Sequence, residues 1–336
     1  MLLLRDPSEP NRRPHSKPDD RVSSACTRRL AFVCFLSALV GCAADRPLHV
    51  RVADGVRRPE RAAVVFFVDG LGEKQFDEAL AEGRIPNIAR HLVHRGVRVE
   101  NAVACIPTIT YANSVTFLTG RHSGQHGIVS NKWFEPSTGR FRDYSHIRTY
   151  QQVNGDFTAP TIDEILHDRV SVSIQAAMYR GSTHHIDNWA TSGINWFFGN
   201  HTGADCLVAQ AFELIGERSS WWGQWPDLIM AYFPGSDTVG HRFGPESAEY
   251  RAAIALADKE IGRICQALQD VGMYDRTYLV LVSDHGIVAV QQENVFDIAD
   301  HLRNRTGARV WFNRLTETAE DASALRECDY AVATTD

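Results

Sequence analysis

The chain has 336 residues, 44% apolar and 23% charged, which suits one large α/β domain or two smaller ones and excludes wholesale disorder. Its 35 basic and 41 acidic side chains give a formal net charge of −6, which excludes a general grip on duplex nucleic acid, because that takes a basic surplus or stripe. No window holds the ~18 apolar residues of a membrane-spanning helix.

Residues 1–27 are rich in Pro, Arg, Ser and Asp, lack an apolar period, and read as a disordered extension. Arg28-Arg29 then precede the apolar run Leu30–Val40, too short to span a bilayer but right for a signal-peptide core behind a basic flank. The run ends Leu39-Val40-Gly41-Cys42, which resembles a bacterial lipobox with Cys42 as the acylated residue. Residues 28–42 are therefore expected to be a signal peptide, and the protein an exported one, periplasmic or anchored to a bacterial membrane through Cys42. Residues 43–336 are left for the catalytic domain. The unusual feature is the 27 residues before the apolar core; a misassigned upstream start accounts for them. Cys105, Cys206, Cys265 and Cys328 follow, with no C-x-x-C spacing, so neither a zinc knuckle nor a redox pair is indicated.

The body alternates strand and helix. Ala62–Val68 (AAVVFFV) is a continuous apolar run ending at Asp69-Gly70, as in a strand covered on both faces. Pro86 opens a helical pattern through Ile88, Leu92 and Val93 that Gly96 closes. Val97–Cys105 reads as a further strand. Thr110–Thr119 has helical spacing with Gly120 at its end. Val172–Ala177 and Asp227–Phe233 are strand candidates. Glu246–Val271 carries one stripe, Tyr250, Ala253, Ile254, Ala257, Ile261, Ile264 and Leu268, and is the clearest helix. Tyr278–Val282 is again a buried-strand pattern, ending at Ser283-Asp284-His285-Gly286. The alternation predicts an α/β fold, a mostly parallel central sheet with helices on both faces, with ligands beyond the carboxyl ends of the strands. The stretch 132–203, with Trp133, Trp189, Trp196 and Phe197-Phe198, is expected to build a wall beside the substrate rather than sheet.

Polar residues collect at those strand ends. Asp69 follows the first buried strand, Asp237 and His241 stand four apart, and Asp284-His285 follow the last buried strand. Each alone fits a turn, a helix cap or a surface imidazole. Together they offer carboxylate oxygen and imidazole nitrogen, the ligands of catalytic zinc, and a cation would neutralise carboxylates that otherwise repel one another. Thr110 sits where a strand hands over to a helix. A threonine there is usually an N-cap, but a hydroxyl beside a cation and a helix N-terminus is also an activated nucleophile at an anion site.

The motifs Val68-Asp69-Gly70, Pro107-Thr-Ile-Thr110, Leu118-Thr-Gly120, His126-Gly-Ile-Val-Ser-Asn131, Asp237-x-x-x-His241-x-x-Gly244-Pro245 and Asp284-His285-Gly286 come one after another in the order of the alkaline phosphatase superfamily. Between Ala62 and Gly286 the chain most resembles the type I phosphodiesterase/nucleotide pyrophosphatase branch. The resemblance implies two divalent ions, zinc by family. Asp69, Thr110, Asp284 and His285 match the ligands of the ion that holds the nucleophile, and Asp237 and His241 match two ligands of the other. Thr110 matches the nucleophile, which forms a phospho-threonine. Asn131 matches the amide that, with the backbone N–H of Tyr111, holds a phosphoryl oxygen. The sulfatase cousins are excluded: Cys105-Ile-Pro107-Thr-Ile109 lacks their arginine, and the position nine residues before Thr119 is Thr110 rather than a cysteine.

Two departures stand out. Pro-Asn-His of the family is Ala112-Asn113-Ser114 here. The second ion's further histidine, well downstream in the family, has no match: only His301 lies beyond His285, in an amphipathic helical stretch. The family adds further strands where this chain stops, so the expectation is a C-terminally incomplete domain. The implied activity is hydrolysis of phosphodiesters or nucleotide pyrophosphates, small-molecule phosphoesters. Monoesterase, phosphonate hydrolase and phosphotransferase chemistry share the same core. The alternative of another class is an inactive, metal-deficient fragment or binding protein. Tyr111 and the Trp-rich stretch offer faces for a base or aryl group, although packing is the commoner role of such residues.

Overall fold

In the computed structural model, which describes residues 46–135, 140–146, 148–187, 200, 202–290, 297–312 and 330–332, the first buried strand, β1, spans Ala62–Val68. Its side chains alternate between two hydrophobic clusters. Val64, Phe66 and Val68 join one, and Val65 and Phe67 join the other. That is the period-two consequence of a pleat covered on both faces. The chain then runs through α1 (Glu73–Ala81), α2 (Thr110–Thr119), β2 (Lys132–Glu135), β3 (Arg140–Asp143), β4 (Ser171–Ile174), β5 (His184–Ile186) and α3 (Gly203–Trp222). It continues through β6 (Leu228–Phe233), α4 (Gly235–Phe243), α5 (Ala248–Asp270), β7 (Thr277–Val282) and α6 (Ile298–Thr306), with shorter helical turns between.

The central sheet has the order β5-β4-β6-β1-β7 and every neighbouring pair is parallel. α3 and α5 pack on one face with Val64, Phe66 and Val68, and α2 packs on the other with Val65 and Phe67. All seven stripe residues of α5 are buried, and the Ser247 hydroxyl caps the helix by accepting from the Tyr250 N–H at 3.1 Å. Truncating one of its core residues, such as Ile261, would cost ~2–5 kcal/mol. β1 is paired on both sides in register, Phe67 with Tyr232 and with Val282. The three strands β6, β1 and β7 therefore end at one level, and the turns that leave them are brought to one place.

Several expectations change. Val97–Cys105 forms no strand, and Val97, Val99 and Val103 are exposed. Its alternating pattern finds no sheet edge among the described residues, and alternation alone does not make a strand. The turn Pro86–Ile88 widens into a π-helical stretch, Ala89–Val93, rather than continuing to Gly96 as α-helix. β7 is not covered on both faces: Tyr278 and Val280 are 61% and 39% exposed, because it is the outermost strand of the described sheet, while Leu279, Leu281 and Val282 pack against the core clusters. Within 132–203, β4 and β5 belong to the central sheet, and only the hairpin β2–β3 stays outside it. β8 (Val310–Phe312) and β9 (Tyr330–Val332) form a separate parallel pair. The extension and signal-like run at 1–42, Trp189, Trp196, Phe197, Phe198 and Cys328 lie outside the described residues.

Candidate active site

Each strand end delivers one part of the site. Asp69 continues β1, its N–H donating to the Phe233 carbonyl at 3.0 Å, and is 3% exposed. Gly70 is next, with φ +70°, and a β-carbon on it would lie 2.9 Å from the Asp237 Cα and Cβ. Glycine thus lets the turn after β1 lie against the first turn of α4. Asp284 comes just after β7 and is 4% exposed. The turn is tied from three sides: the Ser236 hydroxyl donates to the Asp69 carbonyl at 2.5 Å, the Tyr250 hydroxyl to the Gly70 carbonyl at 2.6 Å, and the Leu71 N–H to the Ser283 hydroxyl at 3.1 Å.

Thr110 is the first residue of α2 and its side chain makes no cap. Its hydroxyl lies 3.2 Å from His285 Nε2 instead. The same nitrogen is 3.6 Å from Asp69 Oδ1 and 3.5 Å from Asp284 Oδ2. Of the predicted residues, the structure therefore brings Asp69, Thr110, Asp284 and His285 together. Asp237 joins them, with a donor atom each from Asp69, Asp237 and His285 within 4.8 Å of one another. His241 Nε2 stands 3.4 Å from Asp237 Oδ1 on the outer side, its side chain 61% exposed.

The carboxylates share one pattern. Asp284 Oδ1 accepts from the Gly70 N–H at 3.2 Å and the His285 N–H at 2.9 Å, while Oδ2 has no hydrogen-bond partner. Asp69 Oδ2 accepts from the Tyr232 hydroxyl, while Oδ1 has none. Asp237 Oδ1 is likewise buried without one. Burial, then the charges of Asp284 and Asp237, pushes the Asp69 carboxyl well above its usual range, and burial also raises Asp284. Burial and the adjoining Asp69 charge hold the Tyr232 phenol well above its own. Three bare carboxylate oxygens cannot be ionised together in such a place without a compensating cation. Carboxylate oxygens and a neutral imidazole nitrogen are also the donor set of zinc. The residues fit a divalent cation.

Asn131 lies beside the start of α2 but is turned to protein. Its Oδ1 accepts from the Tyr111 N–H at 3.1 Å, so of the two donors expected to hold a phosphoryl oxygen the Tyr111 N–H is already engaged. Tyr111 packs, its hydroxyl donating to the Tyr144 carbonyl at 2.6 Å and its ring centroid 5.2 Å from that of Tyr144. Sequence reasoning missed two supports. Asn113, buried on α2, donates through Nδ2 to the carbonyls of Cys105, Pro107 and Ile109 at 3.2, 2.8 and 3.2 Å, and accepts from the Cys105 N–H at 2.7 Å. It fastens the loop that leads into Thr110. Its retention beside the Ala112 and Ser114 departures was the available signal. Tyr232 looked like one more core residue of β6.

A parallel sheet with a cation-fitting cluster at its carboxyl ends, and a hydroxyl presented there by a helix start, defines an α/β protein of the alkaline phosphatase superfamily. The chain belongs to the type I phosphodiesterase/nucleotide pyrophosphatase family, whose model matches residues 63–335. An uncharacterised pyrophosphatase/phosphodiesterase of Schizosaccharomyces pombe is 26% identical over 252 residues, 71% of this chain and 49% of that protein. A mouse bis(5'-adenosyl)-triphosphatase is 26% identical over 213 residues, 62% of this chain and 44% of that protein. The chain thus spans about half the length of the curated relatives it matches. Murine ectonucleotide pyrophosphatase/phosphodiesterase 5, solved as an inactive variant with AMP, superposes with a TM-score of 0.56 at 20% identity, covering 74% of this chain and 63% of that one.

Proposed function

We propose that this protein is a metal-dependent phosphoric ester hydrolase that uses Thr110 as its nucleophile, acting on phosphodiesters or nucleotide pyrophosphates. The observation that carries the reading is the Thr110 hydroxyl 3.2 Å from His285 Nε2, beside the bare oxygens of Asp69 and Asp284. Family membership and the names of the relatives support the reaction class, and the nucleotide named for the mouse relative supports the substrate class. Asp69, Asp284, His285 and Thr110 would hold one divalent ion, with zinc the choice of the donor set, and Asp237 and His241 a second. Bound there, such ions supply positive charge that lowers the hydroxyl pKa and neutralises the departing oxygen.

The Thr110 hydroxyl gives up its proton to solvent and its oxygen attacks phosphorus in line. The Oγ–P bond forms as the bond to the leaving oxygen breaks, and that oxygen takes up a proton. Water then attacks the phospho-threonine, frees phosphate or the remaining monoester, and restores the hydroxyl. The donor that Asn131 would offer an equatorial oxygen is Nδ2, whereas the Tyr111 N–H serves that oxygen only if its bond to Asn131 Oδ1 opens, so substrate must displace that bond.

Thr110→Ala in the full chain, loaded with zinc, should lower hydrolysis of an aryl phosphodiester by roughly 10⁴-fold or more, as loss of a nucleophile does. Near-wild-type turnover would refute the assignment. Equal or greater rates on an aryl monoester would move the substrate class to monoesters. The exposure of His241 favours a second reading, a metal-deficient binding protein. Zinc content separates the two, with about two ions per chain for the enzyme and none or one for the binder.

A further inference from the structure

We infer that Tyr232 is a positioning residue that confines Asp69 to offering a single oxygen to a cation. The inference rests on the metal-dependent reading above. The two bare oxygens nearest Thr110 reach that state by different means. Backbone N–H groups of Gly70 and His285 occupy Asp284 Oδ1, so the chain path itself turns Oδ2 inward. Among the described residues, Asp69 has no such backbone donor on its side chain. Its Oδ2 is occupied by the hydroxyl of Tyr232, a residue 163 positions away, and this leaves Oδ1 without a partner, 3.6 Å from His285 Nε2.

The geometry is set by the sheet. Tyr232 pairs with Phe67 across the parallel β6–β1 ladder, and their rings lie 5.7 Å apart. Residues two apart in a strand share a face, so Asp69 projects on the same side as Phe67 and Tyr232, one step further along. A phenol is long enough to carry its hydroxyl that step. A phenylalanine or methionine at the same position would fill the space and leave Asp69 Oδ2 buried with no donor.

A carboxylate with one oxygen engaged presents the other alone. Released, it can rotate, chelate through both oxygens, or turn from the site. Removing a hydrogen bond of this kind to a ligating group typically weakens metal affinity by about 10–100-fold. Tyr232→Phe, titrated with zinc against a chelator of known affinity, should bind zinc about 10- to 100-fold more weakly than wild type. With cobalt(II) in place of zinc, the visible band should change in intensity, because two-oxygen chelation raises the coordination number. Tyr232→Met, which also lacks the hydroxyl but packs differently, should show the same loss. A purely packing role for Tyr232 would shift the unfolding midpoint of the metal-free protein and leave the zinc constant and cobalt band alone. Wild-type affinity and band in either variant overturn the inference while sparing the reading beneath it. Failure of the wild-type chain to bind zinc at all overturns both.

Discussion

The two sides of the site are built on different principles. On the Thr110 side, Asp69, Asp284, His285 and Thr110 come from two strand ends and a helix start, and the Asp69, Asp284 and His285 side chains are 4%, 0% and 8% exposed. Their spacing is inherited from the register of β1 and β7, and so from the core. On the other side, Asp237 and His241 come from successive turns of one helix, and His241 is 61% exposed. Their spacing is the local i,i+4 repeat of α4. The first side is fixed by everything the sheet buries; in the second the spacing is set within one helix, and the His241 side chain is largely in water. Under the proposed function, two ions would not be held equally here.

That asymmetry can be broken by experiment. His285→Ala removes the nitrogen on which Thr110, Asp69 and Asp284 converge. It should lower phosphodiester hydrolysis by roughly 10³-fold or more and release zinc measurable by elemental analysis. His241→Ala removes an exposed ligand from the looser side and should cost about 10–100-fold. Equal losses from the two variants would show that the sides act as one unit. Gly70→Ala strikes the seam between them. Its β-carbon would meet Asp237 at 2.9 Å, and its φ of +70° strains any other residue. The expected outcome is about a tenfold loss of turnover with ~1–3 kcal/mol of destabilisation, read by denaturant unfolding. Wild-type behaviour would mean that Asp237 can yield without consequence.

Legibility in the sequence divides along the same line, between local pattern and distant contact. β1, α5 and β6 are readable because each is nearly fully buried or strictly periodic, α2 because its helical spacing closes on Gly120, and the candidate site gathers just beyond β1 and at the start of α2. β7 misled because an apolar run tells of residue type and not of neighbours. Val97–Cys105 misled because its alternation presupposed an edge to pair with. Tyr232 was hidden by its own hydrophobicity: within LIMAYF a phenol reads as packing, and its partner Asp69 is 163 residues away. Asn113 was hidden in the same way, since nothing in a helical pattern shows that one amide will satisfy three carbonyls of the loop before it. Carboxylates and imidazoles at strand ends can be read from a sequence; the groups that hydrogen-bond to them cannot, because those contacts exist only after the sheet has closed.

The last predicted effect is on stability alone and concerns how the start of α4 is anchored. Asp205, fully buried on α3, accepts the Gly235 N–H at 3.0 Å through Oδ1 and so holds the start of α4, two residues before Asp237. Burial is the main cause that lifts this carboxyl to about 8, with the charge of Glu260 adding and the Gly235 hydrogen bond opposing. An unfolded chain would hold it near the ordinary aspartate value of ~3.9. Between those values the folded protein keeps a proton that the unfolded chain has lost, so stability falls as pH rises through that window and levels off above about 8. Asp205→Asn can keep the bond to Gly235 through its amide oxygen but cannot titrate. Denaturant unfolding of wild type and variant across about pH 5–9 should therefore give curves that diverge, with the wild type losing up to ~1.4 kcal/mol per pH unit relative to Asp205→Asn below about pH 8. Parallel curves would show that Asp205 is ionised in the folded protein, and that the anchor of α4 is a buried charge rather than a neutral acid.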